Sequence, residues 1–189
     1  MIEEYLKLIA QKYNFPKYYI PYLMSIGIAK RYDTHQYIVR QGEPTEFVYV
    51  ILSGVIRSYS LKKDKELTMT FFKEGDLGGD FNGLIYNKPS EKTLETIEPT
   101  VCFCIPFCKA QQHLSPNLSF DLVVAKFMKT ELLKRANLKL QIMTLNPNER
   151  FIYVKEHLPW LFDRVSDCHI ANFIGITPVS FSRIKKRLK

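Results

Sequence analysis

Ser166-Asp167-Cys168-His169-Ile170-Ala171-Asn172-Phe173-Ile174-Gly175-Ile176-Thr177-Pro178-Val179-Ser180-Phe181-Ser182-Arg183-Ile184-Lys185-Lys186-Arg187 reads as two short helices joined by a glycine turn. Ser166 is a good N-cap, and Asp167 puts an anion in the first turn, where the helix dipole favours it. Ile170, Ala171 and Ile174 share one face, and Gly175 gives a tight turn its backbone freedom. Thr177 caps the second helix, with Pro178 at its first position, where no N–H is needed. Phe181, Ile184 and Leu188 form the face expected to be buried; Ser180, Arg183 and Arg187 are left to point outward. This is the pattern of a helix-turn-helix, which commonly lays its second helix in the DNA major groove. The same spacing also fits an ordinary αα-hairpin.

Charge separates the two readings. Residues 1–110 hold 14 Lys and Arg against 13 Asp and Glu, whereas residues 111–189 hold 13 against 6. Almost all of the +8 excess therefore lies with the helix pair, and the last seven residues carry five cations and no anion. That is the electrostatic footprint of a binder of double-stranded DNA phosphates. No lipidation signal or long amphipathic segment points to a membrane instead.

The chain's 189 residues suit one large or two small domains, and 46% hydrophobic with 24% charged residues describes a globular chain. No apolar run approaches the roughly 18 residues a bilayer span needs. The acidic start, Met1-Ile2-Glu3-Glu4, lacks a signal peptide's basic flank, so a cytoplasmic protein is expected. Cys102, Cys104 and Cys108 stand in an apolar setting without a C-x-x-C pair, and read as buried or sheet-lining thiols rather than metal ligands. His35, His113, His157 and His169 define no ligand spacing. No metal site, nucleophile triad or cupin-like histidine cluster is legible, and no enzyme activity is expected.

Residues 1–30 look helical, broken at Pro16 and Pro21. From 36 to 105 short apolar runs alternate with turn residues, and the spacing predicts strands at Gln36–Gln41, Phe47–Ser53, Val55–Leu61, Glu66–Phe72, Thr93–Ile97 and Val101–Ile105. Many short strands at regular intervals predict a jelly roll. From Asn117 to about Thr144 neither glycine nor proline occurs, which predicts one long helix. Leu133, Ala136, Leu140 and Met143 repeat on it at three-and-four spacing, as a pairing helix would, although Lys126 and Lys129 interrupt the seam upstream. Leu145-Asn146-Pro147-Asn148 is the expected hinge. The expected division is thus 1–116 roll with N-terminal helices, 117–145 linking and dimerisation helix, and 146–189 helix-turn-helix domain.

Gly42-Glu43, Phe47-Val48-Tyr49-Val50-Ile51-Leu52-Ser53-Gly54 and Gly75-Asp76-Leu77-Gly78-Gly79-Asp80 resemble the cyclic-nucleotide-binding type of β-roll. Joined to a long helix and a helix-turn-helix, that roll makes nearly the whole chain similar to the Crp/Fnr superfamily of bacterial transcription regulators. Glu149-Arg150-Phe151, Leu158-Pro159, Gly175-Ile176-Thr177-Pro178 and Ser182-Arg183-Ile184 fit a subgroup with a compact C-terminal domain. The resemblance implies an α+β protein with a jelly-roll β-barrel sensor, a dimerising helix and a (winged) helix-turn-helix. It implies a homodimer acting on near-palindromic DNA under a small-molecule effector, with RNA polymerase as a further partner. A degenerate roll serving as a ligand-independent scaffold is the alternative.

Two departures qualify what the resemblance implies. Its cyclic-AMP-binding members hold the ribose with a glutamate and the phosphate with an Arg-Ser or Arg-Thr pair. Here Asp80 follows Gly79, and Lys92-Thr93 stands in place of the arginine pair. Lysine lacks the planar fork a cyclic phosphate exploits, so cyclic AMP is not the expected effector, and Gly79, Asp80, Phe81, Lys92 and Thr93 are candidates for a pocket of unknown ligand. The absence of cysteine before 102 argues against an iron–sulfur sensor, and no ligand pair suggests haem. On the second helix, Pro178 and Val179 stand where the best-known members carry base-reading arginine and glutamate. Ser180 and Arg183 remain as base-edge candidates, with Thr177, Lys185, Lys186 and Arg187 better suited to phosphate.

Overall fold

The computed structural model describes residues 1–63, 65–112 and 120–188, with side chains from residue 124 onward in the helix that starts at 120. Two N-terminal helices, α1 (Ile2–Lys12) and α2 (Ile20–Ile26), are separated by a 3₁₀ turn at Lys17–Tyr19. Pro21 does not break α2 but sits in its first turn, where a missing N–H costs nothing. The strands are β1 (Ile28–Tyr32), β2 (Tyr37–Val39), β3 (Phe47–Ser53), β4 (Ile56–Lys62), β5 (Lys65–Phe72), β6 (Leu77–Gly78), β7 (Thr93–Thr96) and β8 (Thr100–Pro106), with helix α3 (Phe81–Tyr86) between β6 and β7. They form two four-stranded antiparallel sheets, β1-β8-β3-β6 and β2-β7-β4-β5. The roll is therefore two facing sheets, open at their edges, rather than a closed barrel.

Alternation along β3 explains its unbroken apolar run. Tyr49 and Ile51 point between the sheets with Ile56, Phe72, Leu94, Cys102 and Cys104. Val50 and Leu52 point the other way, with Phe103 and Ile105, onto Leu6, Ile9, Tyr19 and Leu23 of the N-terminal helices. A strand covered on both faces needs no polar alternation. The sheet lining expected of Cys102 and Cys104 holds, and burial pushes the Cys102 thiol up to about 12. Cys108, by contrast, is exposed in the short helix α4 (Phe107–Gln111). Strand β1 departs from the helical reading of residues 1–30. Its Lys30 and Arg31 are exposed on an edge strand paired only with β8, so it carries no alternating apolar signal.

Helix α5 (Phe120–Thr144) matches the long helix expected from sequence, with 117–119 outside the described residues. It is followed by α6 (Pro147–His157), α7 (Trp160–Arg164), α8 (Asp167–Ile174) and α9 (Pro178–Arg187). The break between α5 and α6, within the expected hinge Leu145-Asn146-Pro147-Asn148, is well specified. Asn146 accepts from the amides of Asn148 and Glu149 at 3.0 and 3.2 Å, while Glu149 Oε2 accepts from the Asn146 amide at 2.8 Å, a reciprocal capping box. The described residues 147–188 are helical with no strand, so they include no β-wing. Phe151, Val154, Leu161, Ile170, Ile174, Phe181 and Ile184 form their core, which continues into Val55 and Phe71 of the roll. Leu188, expected in that core, is exposed at the end of α9.

Candidate nucleic-acid interface and sensor cavity

The local chemistry of α8, turn and α9 follows the sequence. Ser166 Oγ accepts from the His169 amide, and Thr177 Oγ1 accepts from the Ser180 amide at 3.1 Å. Gly175 sits at φ 70, and the amides of Gly175 and Ile176 return to the carbonyls of Asn172 and Ala171, closing α8. Arg150 secures this turn from α6: its guanidinium donates to the carbonyls of Leu145 at 2.8 Å and Ile174 at 3.2 Å, tying the hinge to the helix-turn-helix.

The outward face of α9 consists of Val179, Ser182, Arg183 and Lys186, at helical spacing, with Thr177 and Arg187 at its ends. Arg183 and Lys186 meet no carboxylate among the described residues. The other expected DNA contacts are partly committed elsewhere. Lys185 Nζ holds the Asp167 carboxylate at 2.6 and 2.9 Å, a clamp between α9 and α8. Arg187 donates to the Asn148 side chain, and the Ser180 hydroxyl accepts from Thr177 Oγ1 at 3.0 Å. Val179 and Ser182 were not among the candidates from sequence; Val179 is 60% exposed. The signal that could have found it is its position one turn before Arg183.

Of the expected effector residues, Asp80 and Lys92 meet, in an internal network with Ser90 and Glu91. Asp80 is fully buried; its carboxylate accepts from Ser90 Oγ at 3.0 Å, the Glu91 amide at 2.9 Å and Lys92 Nζ at 3.3 Å. Burial alone would raise its pKa, yet the Lys92 charge and these hydrogen bonds outweigh it and hold the carboxyl below its ordinary value. Lys92 is thereby neutralised within the roll. Thr93 is buried, and its hydroxyl accepts from the Gln41 amide at 3.1 Å, so it is not presented as a phosphate donor. Gly79, Phe81 and Lys92 nevertheless line a cavity of about 420 Å³ between the roll and α5, with Met128, Leu132 and Arg135 on the helix side. Phe81 packs on Phe127 of α5 at 4.5 Å between ring centroids.

A joint between the roll and the helix-turn-helix was invisible in the sequence, because its partners lie 66 to 106 residues apart. Asn172 on α8 docks on the open edge of β5: its Oδ1 accepts from the Thr68 amide at 2.6 Å, and its Nδ2 donates to the Glu66 carbonyl at 2.8 Å. One side-chain amide thus satisfies an edge that would otherwise invite another strand. Arg164 on α7 forks onto Glu74 with two bonds of 2.8 Å and also donates to Glu98, both acids lying in turns of the roll. The Arg164 guanidinium draws the Glu74 carboxyl from its ordinary 4.5 down to about 2. Beside the joint, burial and the nearby Arg57 cation hold the His169 pKa below its ordinary value.

On the α5 surface, Leu133, Leu140 and Met143 are 55–67% exposed and Ala136 lies exposed among them. Phe127 and Ile142 are buried on the opposite side. Among the described residues no helix is long and apolar enough to cross a membrane, and no cluster of three potential metal ligands occurs.

Comparison with known proteins agrees with this architecture. Residues 29–115 match the cyclic nucleotide-binding domain. An anaerobic regulatory protein of Bacillus subtilis is 29% identical over 136 residues, covering 69% of this chain and 55% of that protein, so the chain spans about half the length of this curated relative. The c-di-GMP-responsive global regulator CLP of Xanthomonas campestris superposes with a TM-score of 0.73 at 22% identity, covering 92% of this chain and 91% of that one. FixK2 of Bradyrhizobium japonicum gives 0.70 at 20% identity, over 86% and 84%. Residues 29–115 are thus similar to a cyclic nucleotide-binding domain, and over most of its length, from roll to helix-turn-helix, the chain shares the fold of these regulators.

Proposed function

We propose that this protein is a homodimeric, sequence-specific DNA-binding transcription regulator, with α9 as the helix that enters the major groove. The observation that carries this reading is the outward face of α9, where Arg183 and Lys186 are exposed without acidic partners among the described residues and Val179 stands at the leading end. Arg183 is suited to a guanine edge and Val179 to a thymine methyl, while Lys186 is suited to phosphate, as are Arg187 and Thr177 once they leave Asn148 and Ser180. Two such helices need a second copy, and the exposed seam of Leu133, Ala136, Leu140 and Met143 on α5 supplies an apolar surface for it. RNA polymerase is the further partner that this class of function calls for.

Effector control runs through the cavity of about 420 Å³, because its walls belong both to the roll and to the dimerising helix. A small molecule there would press on Met128 and Leu132 and so change the spacing of the two recognition helices. Coupling of about 1–3 kcal/mol is ordinary for such a switch. The closed Asp80–Lys92 pair favours an effector other than cyclic AMP, and it equally favours the second reading, a roll that acts as a ligand-independent scaffold. Unchanged melting temperature across a broad metabolite panel would support the scaffold reading.

The test of DNA recognition is the variant Arg183→Glu, measured by anisotropy on a duplex enriched by the wild-type protein. Specific affinity is expected to fall by roughly 1–3 kcal/mol or more, with an unchanged circular dichroism spectrum. Undiminished affinity would remove α9 from the role.

A further inference from the structure

A second cavity, of about 490 Å³, lies where three parts of the chain meet: the β5–β6 turn of the roll, the middle of α5, and the α6–α7 corner of the helix-turn-helix domain. Its volume is within the roughly 300–1,000 Å³ usual for small-molecule sites, which favour domain junctions. Its walls combine aromatic rings with cations. Trp160 and Phe173 come from the C-terminal domain, Lys134 and Arg135 from α5, and Lys73 from the roll.

The charges are unbalanced in a specific way. The two acids in the wall are already engaged: Asp76 accepts from the Lys73 amide at 3.1 Å and faces Lys12 at 3.8 Å, while Glu131 accepts from Tyr13 Oη at 2.7 Å and faces Lys12 and Arg135. Lys73 and Lys134 meet no carboxylate within ion-pair distance among the described residues. Lys73 is half-buried, with its ammonium 5.3 Å from the centre of the Trp160 ring. A partly desolvated ammonium held against an aromatic face and lacking a counter-ion is positioned for an anion brought by a ligand.

We propose that this junction is a binding site, separate from the cavity beside Asp80 and Lys92, for a small planar aromatic molecule bearing a phosphate or carboxylate. The ring stacks against Trp160 and Phe173, and the anion lies between Lys73 and Lys134. Lys134, Arg135 and Leu138 occupy the face of α5 opposite Leu133 and Leu140, so a second copy seated on the exposed seam leaves the site open. A ligand here touches roll, α5 and helix-turn-helix at once. It would therefore bias the docking of α7 and α8 on the roll directly.

The chain's single tryptophan is Trp160, so its emission reports occupancy of this cavity without labelling. Adenosine and guanosine 5′-monophosphate are the probes, with adenosine as a ring-only control and inorganic phosphate as an anion-only control. At least one nucleotide is expected to change Trp160 emission saturably, with both controls binding at least about tenfold more weakly. Lys73→Ala with Lys134→Ala is expected to weaken that binding about tenfold or more, as should the exposed Lys134→Ala alone to a smaller degree. The charge-matched pair Lys62→Ala with Lys155→Ala should leave it unchanged. No saturable change up to millimolar nucleotide, binding indifferent to Lys73 and Lys134, or controls binding as tightly as the nucleotides would each overturn the proposal. Because the readout is binding and not DNA recognition, it fails or succeeds independently of the role assigned to α9.

Discussion

At the scale of single residues, two of the pocket candidates, Asp80 and Lys92, form one unit. Asp80 is a fully buried carboxylate whose charge is tolerated because Lys92, Ser90 Oγ and the Glu91 amide surround it. Lys92→Met keeps the aliphatic stem and removes the charge, and is expected to destabilise the roll by roughly 1–3 kcal/mol in urea unfolding at neutral pH. Asp80's folded pKa lies below its unfolded one, so the stabilisation is fully present above the ordinary Asp value and is lost as pH falls from there through the lower folded value. The cost of Lys92→Met should shrink in the same direction; a cost unchanged in acid would contradict the pairing. The sequence brings Asp80 and Lys92 forward together as pocket candidates. It could not show that they close on each other, since hydrogen-bond geometry between residues 80 and 92 depends on where β6 and β7 lie.

At the scale of elements, local rules carried most of the reading. Caps at Ser166 and Thr177, the turn at Gly175 and the break before Pro147 are encoded within four residues of where they act, and most strands of the roll are legible as short apolar runs between turn residues. What escaped was non-local. β1 is an exposed edge strand held by β8, and β6 is two residues long, so neither leaves a periodic trace. The joint of α7 and α8 with the roll escaped for the same reason, and it has a pH signature. Glu74 is held at about 2 against an ordinary 4.5, so Arg164–Glu74 stabilises fully above about pH 4.5 and less as pH falls toward 2. Glu74→Gln should therefore lower the wild-type melting temperature near neutrality and converge with it in acid. A constant difference across that window would show that the ion pair is not the cause.

Helix α5 shows why a clean coiled-coil pattern was missing from the sequence. Phe127 and Ile142 serve the core of the protomer, whereas Leu133, Ala136, Leu140 and Met143 face outward, so apolar residues occupy two faces of one helix. Leu133→Glu with Leu140→Glu alters only exposed positions. With the proposed dimer pairing through this seam, the variant is expected to stay folded, to sediment as a monomer where the wild type sediments as a dimer, and to bind the enriched duplex more weakly. A double variant that sediments like the wild type would move the dimer interface elsewhere.

At the scale of the whole molecule, the three parts are not beads on a string. The core of the C-terminal domain runs into the roll through Val55 and Phe71, and Phe71 meets Phe173 edge-on at 5.5 Å. The cavity beside Gly79 and Lys92, the junction cavity and the α8 dock all adjoin α5 or β5. The measurement that bears most directly on the central claim is selection of bound duplexes from a random DNA pool, followed by the salt dependence of binding to the enriched sequence. A near-palindromic motif with half-sites about 34–36 Å apart and an affinity that falls steeply with salt is expected. Enrichment of no motif, with random duplexes bound as tightly as any selected one, would contradict the claim.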